Sequence, residues 1–383
     1  MRIAIVAESF LPLMNGVTHS ILRVLDHLQD RGDDVLVIAA SALDGEAPDQ
    51  VKGAEIHRLP AVPLAGYANV RVAMGGVYRV KRILADYAPD VVHLASPFVL
   101  GWRAAQAAHQ LGIPTVAIYQ TEVPGYAARY GVPFLENWAW NRVDNIHLLA
   151  TRTLVPSTFA LNQLRGRGIP RVRMWRRGVD TARFSPGKRD DGWRASVAPG
   201  ERIIGYVGRL AVEKQVEDLA ALAGIPGTRL VIVGDGPQRA ALEEALPDAV
   251  FAGFLGGEDL ARAVASFDLF VHPGEFETFC QTIQEAMASG VPVVATGRGG
   301  PLDLVENSRT GWLYEPGDLS AMRARVLDLM GDDAKRRAFA AAAHASVQHR
   351  TWRALCQELV RHYEEVIAGA PVPTGTTTAK GAA

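Results

Sequence analysis

What most limits the folds open to this chain is an alternation of strand-length and helix-spaced apolar segments that runs its course and then begins again. Residues 3–7 are a short apolar run, and after a loop with Pro12 and Gly16 the residues Val17, Ile21, Val24, Leu25 and Leu28 recur at helical spacing. Residues 35–40, 90–94 and 114–119 read as further strands, with helical patterns between several of them. The second half repeats the pattern at 202–207, 229–233, 249–251, 269–272 and 291–295. Such alternation predicts an α/β fold, a parallel sheet flanked by helices, built twice. The 383 residues are enough for two domains, each with its own core.

Residues 183–201 carry Pro, Gly and clustered charges without an apolar period, as expected of an inter-domain connection. The boundary is placed near Asp180, giving domains at 1–180 and 181–351. Residues 352–367 read as a last helix, and 370–383 have too little apolar surface to offset the entropy lost on ordering. Forty basic against forty-one acidic residues, with no long basic run, exclude extended nucleic-acid binding. Two cysteines, Cys280 and Cys356, exclude a disulfide framework or a multi-cysteine zinc site and fit a reducing compartment. No run approaches the roughly 20 apolar residues of a membrane span and no signal-peptide core opens the chain, so a soluble or peripheral cytoplasmic protein is expected.

Open parallel sheets bind ligands beyond the carboxyl ends of their strands, so two facing sheets make the cleft between them the expected site. The richest stretch runs from His272 to Pro301. Thr278 and Gln281 have capping-box spacing, which predicts a helix starting at Thr278 whose free amides form an anion site. Glu277 would precede that helix and Glu285 lie about two turns inside it, roughly 10 Å along the axis. One carboxylate could then meet a sugar and the other a ribose, with the amides of Phe279, Cys280 and Gln281 holding a diphosphate between them. Taken alone, these glutamates would more simply be a charge at a positive helix end and a solvated helix residue.

A strand ending at Val207 is followed by Gly208, Arg209 and Lys214, which places two cations at a strand tip where a departing diphosphate could be stabilised. Surface cations paired with Glu213 or Glu217 are the plainer alternative. Asn15 can cap the first helix, and Gly16, lacking Cβ, lets another molecule approach the backbone.

Glu277 and Glu285 in an E-x7-E pattern, VGRLAVEK (207–214), VGDGP (233–237), RGVD (177–180) and GVPVVAT (290–296) together resemble the retaining glycosyltransferases of family 4. The resemblance covers nearly the whole chain apart from its tail. It implies the GT-B fold: two facing Rossmann-like domains, the first binding acceptor and the second binding the nucleotide-sugar donor, with the last helix crossing back to the first. ESFLPLMNGVTHSILRVLDHL and YQTEVPGYAARYG more narrowly resemble actinobacterial GDP-mannose-dependent α-mannosyltransferases acting on glycolipids. The donor GDP-mannose rests on that similarity alone, and UDP-sugars stay open. By resemblance, Arg209, Lys214, Glu277 and Gln120 are catalytic. Gly16, Gly208, Asp235, Thr278, Phe279, Cys280, Gln281 and Glu285 bind donor, and Glu122 and Tyr126 face the acceptor.

Gln120 stands where many family members have histidine; it can hydrogen-bond but cannot carry protonic charge. No Asp-x-Asp pair is present, and metal-independent transfer with no cofactor beyond the nucleotide sugar is expected. Cys280 reads as a packing residue rather than a nucleophile. A dehydrogenase reading of Gly234-Asp235-Gly236 fails because Pro237 follows and Arg239 replaces the third glycine. A non-catalytic nucleotide-sugar sensor is the remaining alternative. Residues 70–84 mix Arg71, Arg79, Lys81 and Arg82 with Val72, Met74, Val77, Val80 and Ile83. They read either as an amphipathic surface on anionic lipid, suited to a lipid-linked or polyol acceptor, or as a helix with one solvated basic face.

Overall fold

The computed structural model describes residues 1–41, 47–64, 67–96, 98–120 and 133–369. In chain order the first strands are β1 (Arg2–Ala7), β2 (Asp34–Ala40), β3 (Gln50–Val51), β4 (Ala54–Leu59), β5 (Ala61–Leu64) and β6 (Tyr67–Ala73). There follow β7 (Val91–Leu94), β8 (Thr115–Ile118), β9 (Arg152–Val155) and β10 (Val172–Met174). The second half supplies β11 (Arg202–Val207), β12 (Thr228–Val233), β13 (Val250–Gly253), β14 (Leu269–His272), β15 (Val293–Thr296) and β16 (Gly311–Tyr314).

The first sheet has the order β10, β9, β8, β7, β1, β2, β4, β3, with only β3 antiparallel, and the second the order β13, β12, β11, β14, β15, β16, parallel throughout. Central strands such as β1, β7 and β14 are buried on both faces, which is why they appear in the sequence as unbroken apolar runs. In each sheet the strand order reverses beside the first strand, between β1 and β7 and between β11 and β14. At such a reversal the helices leave in opposite directions and open a crevice at the strands' carboxyl ends.

The last helix, Trp352–Ala368, packs on the first sheet rather than the second. Its Cys356, Leu359, Val360, Tyr363 and Val366 share one core with Ile3, Ile5, Leu25 and Val37. Its start lies against the chain's first crossing between sheets: the Val179 amide donates to the Arg350 carbonyl at 2.8 Å, and a Cβ on Gly178 would sit 2.6 Å from the Trp352 Cα.

The structure adds detail to the sequence reading. The segment 183–201, read as an inter-domain connection, holds a helix, Asp191–Val197, capped by Asp190 and fastened to the second sheet's layer by Arg194 on Asp268 at 2.9 Å, with Trp193 beside Phe267. Residues 70–84 are not one amphipathic element, because they span the end of β6, a Gly75–Gly76 break and the start of the helix Val77–Tyr87. Strands β3 to β6, β9, β10 and β16 went unread, being short or only partly buried. The tail 370–383 lies outside the described residues, as do Glu122 and Tyr126.

Candidate active site

The second sheet's reversal brings the tips of β11 and β14 side by side. After β11 come Gly208 and Arg209, then a single 3-10 turn, Val212–Lys214; after β14, which ends in His272, comes the loop carrying Glu277. The Lys214 Nζ lies 2.5 Å from Glu277 Oε1, across 63 residues of sequence, so Lys214 is a largely covered cation paired across the fold with that carboxylate. Arg209 keeps more of the plainer character: its side chain is 55% exposed and 3.9 Å from Glu213.

Burial alone would raise the Glu277 carboxyl, but Lys214 and His272 reverse that and hold it at about 2. His272 Nε2 lies 3.3 Å from the same oxygen. Burial would lower the imidazole, yet Cys280 and Glu277 push it up to about 9. At the strand tips a carboxylate therefore lies between an ammonium and an imidazole, a polarised cluster already withdrawn from solvent.

The helix expected from Thr278 begins instead at Gln281 and runs to Ala288, after Cys280 in a left-handed conformation with φ +70°. Thr278 does not cap it. Its hydroxyl donates to the Gln120 carbonyl at 3.1 Å and ties the two halves of the protein together. Tertiary contact outcompeted the local cap, and the buried Phe279 and Cys280 side chains join the second core. With the later start, Glu285 lies about one turn inside the helix, not two. It is buried, not solvated, and burial pushes its carboxyl up to about 8 against the hydrogen bond from Gln281 and the charges of Arg183 and Arg23.

Gln120, at the end of β8, has both amide ends engaged: Nε2 donates to the Ala95 carbonyl at 2.5 Å and Oε1 accepts from Arg177. Gln281 and Gln284 donate to the carbonyls of Gly178 and Arg177 at 3.0 and 3.1 Å, so the helix Gln281–Ala288 rests on the crossing segment. Asn15 caps the first helix, Gly16–Arg31, through its Oδ1, and a Cβ on Gly16 would meet nothing, leaving the backbone there open. Asp235 is turned outward at 58% exposure, 3.5 Å from Arg239, and its side chain joins none of these groups. Two participants escaped the sequence reading. His272 was visible only as a strand end and Arg177 only as a letter of RGVD; the signal for both was position, one at a strand tip and one at the crossing.

The Glu285 environment carries a prediction. Its carboxyl rises from the ordinary 4.5 to about 8 on folding, so the folded state binds the proton more tightly. Its contribution to stability is full below pH 4.5 and is lost as pH rises through about 8. In Glu285→Gln, the fall in urea midpoint between pH 5 and pH 8 should be smaller than in the parent protein. Equal falls would show that this carboxyl ionises freely.

Comparison with known proteins identifies the family. The profile described as Glycosyltransferase Family 4 matches residues 14–183, and that described as Glycosyl transferases group 1 matches residues 201–332. A GDP-mannose-dependent alpha-mannosyltransferase of Mycolicibacterium smegmatis is 50% identical over 96% of this chain and 98% of its own. One from Corynebacterium glutamicum is 49% identical over 96% and 90%. Among solved structures, sucrose-phosphate synthase from Thermosynechococcus elongatus superposes with a TM-score of 0.81 at 22% identity over 96% of this chain and 99% of its own, a likeness of fold. Two facing parallel sheets with a returning last helix are the GT-B architecture, and the chain is a glycosyltransferase belonging to family 4.

Proposed function

We propose that the protein moves an α-mannosyl residue from GDP-mannose to a glycolipid acceptor, with retention and without a metal. The sugar and nucleotide come from the relatives' names. The observation that carries the chemistry is the Lys214–Glu277–His272 cluster at the β11–β14 reversal. In this reading residues 181–351 hold the donor, while 1–180 with the last helix hold the acceptor.

Arg209 and Lys214 take the leaving diphosphate together with the amides around Phe279, Cys280 and Gln281, while Gly208 and Gly16 leave room for phosphate and sugar. Glu277 accepts from a sugar hydroxyl and Glu285 from the ribose. The acceptor hydroxyl attacks from the face that the diphosphate leaves, and closure of the lobes through Thr278 and Gln120 keeps water from the donor. Gln120, fixed by Arg177 and the Ala95 carbonyl, orients a sugar hydroxyl and takes no proton. Absence of an Asp-x-Asp pair supports charge stabilisation by side chains rather than by a divalent ion. The test is donor hydrolysis and transfer by purified protein over a panel of GDP- and UDP-sugars, with and without chelator. GDP-mannose should lead and chelator should change nothing; preference for a UDP-sugar, or loss of turnover with chelator, defeats the reading.

A peripheral position on an anionic membrane is part of the same proposal. Val62, Met74 and Tyr78 are exposed where β5, β6 and the helix Val77–Tyr87 meet, with Arg79 and Arg82 beside them. Among the described residues no helix is long and apolar enough to cross a membrane. Sedimentation with anionic vesicles should exceed that with neutral vesicles and fall in an Arg79→Ala, Arg82→Ala variant; binding that ignores lipid charge would remove this part.

A further inference from the structure

We infer that His272, Glu277 and Cys280 also form a binding site for a soft divalent transition metal, zinc in type, that switches the enzyme off. One ligand atom from each lies within 4.8 Å of the other two. A four-coordinate zinc ion with bonds of about 2.0–2.3 Å holds its ligands about 3.5 Å apart, so side-chain movements of about an ångström would close the site. Imidazole, carboxylate and thiolate together suit zinc, cobalt or copper and not magnesium or calcium.

An independent feature points the same way. His272 is 2% exposed, and neither ring nitrogen makes a well-aligned hydrogen bond among the described residues, although Nε2 approaches Glu277 at 3.3 Å. Buried imidazole nitrogens are ordinarily satisfied. The ring lies nearly parallel to those of Tyr206, at 6.1 Å between centroids, and Phe270, at 6.4 Å. Gly274 leaves the approach to Nε2 clear, since a Cβ there would stand 3.2 Å from it.

An arriving dication takes the Glu277 oxygen that Lys214 holds in the free protein. It binds Cys280 as thiolate and His272 as neutral imidazole, releasing to solvent the protons these two groups carried, and repels the ammonium of Lys214 from the strand tips. The carboxylate and cation that meet the donor are then both misplaced. That consequence rests on the proposed roles of Glu277 and Lys214; metal binding itself does not.

The experiment titrates the full-length, chelator-treated protein with cobalt(II) in a thiol-free reductant. A near-ultraviolet thiolate-to-cobalt charge-transfer band should saturate at equimolar metal and be displaced by zinc. It should vanish in Cys280→Ser, persist in Cys356→Ala, and need at least about tenfold more cobalt in His272→Gln, since loss of a direct ligand exceeds the usual cost of losing a supporting one. GDP-mannose should weaken cobalt binding, and zinc should inhibit transfer reversibly to chelator. No band, a band that survives in Cys280→Ser, or an unchanged titration in His272→Gln or with GDP-mannose overturns the inference. Absence of any mannosyl transfer with the band intact would instead strike the proposed function and leave the metal site standing.

Discussion

Glu277→Gln is expected to lower kcat/KM by roughly 10²–10³, the usual loss when one preorganised charge or donor leaves a reacting centre. The mechanism predicts more than the size. Glu277 holds Lys214 at 2.5 Å and His272 at 3.3 Å, so the substitution also frees the ammonium from its position and removes one of the two groups that keep the imidazole charged. Lys214→Ala should therefore lose a similar amount, and the double variant scarcely more than either single one, because the two residues act as a unit. Additive losses would mean two independent sites.

Stability should follow pH in the same variant. His272 rises on folding from 6.5 to about 9, so its contribution is full below pH 6.5 and lost as pH rises through about 9. Glu277 falls from 4.5 to about 2, so its contribution is present above pH 4.5 and lost as pH falls through about 2. Glu277→Gln removes this carboxylate's share of the acidic limb, leaving that of Asp33, Asp180 and Asp328, and flattens the alkaline limb, which denaturant midpoints across pH 2–9 would register.

Gly234→Ala should do comparable damage by a purely steric route. Gly234 has φ +139°, where a side chain is strained, and its Cβ would stand 1.9 Å from the Gly208 carbonyl oxygen. That oxygen is backbone at the tip of β11, adjacent to Arg209, so it cannot yield without moving the cation. The strain and the overlap together cost on the order of 3 kcal/mol or more. The second lobe's Tm should fall by roughly 6–12 °C. Gly187→Ala, whose Cβ would meet nothing, is the control and should stay within about 0.5 kcal/mol of the parent. Equal Tm values for the two variants would show that the β11 and β12 tips are not in contact as described.

Strands such as β1, β11 and β14 were legible because burial on both faces demands apolar residues at every position. β16 and β10 were not, since Trp312, Leu313 and Met174 are only half covered and no period survives over three or four residues. Thr278 and Gln281 had the correct spacing for a cap, and what overruled it, the Gln120 carbonyl 158 residues away, has no local trace. The E-x7-E spacing singled out Glu277 and Glu285, while their opposite ionisation depends on neighbours brought by the fold: Lys214 for one, little but burial for the other. Asp235 stood out in the VGDGP run, yet its backbone does the structural work, its carbonyl accepting from the Leu210 amide at 3.0 Å.

The returning helix has a consequence for how the protein is made. The wall formed by Leu359, Val360, Tyr363 and Val366 over Ile3, Ile5 and Leu25 comes from the end of the chain. On the ribosome the leading lobe emerges first but waits, one flank open to chaperones and to neighbouring nascent chains, until the final helix is translated. The lobe synthesised last can close on its own core before then, so the birth order of the two halves is the reverse of the order in which they mature.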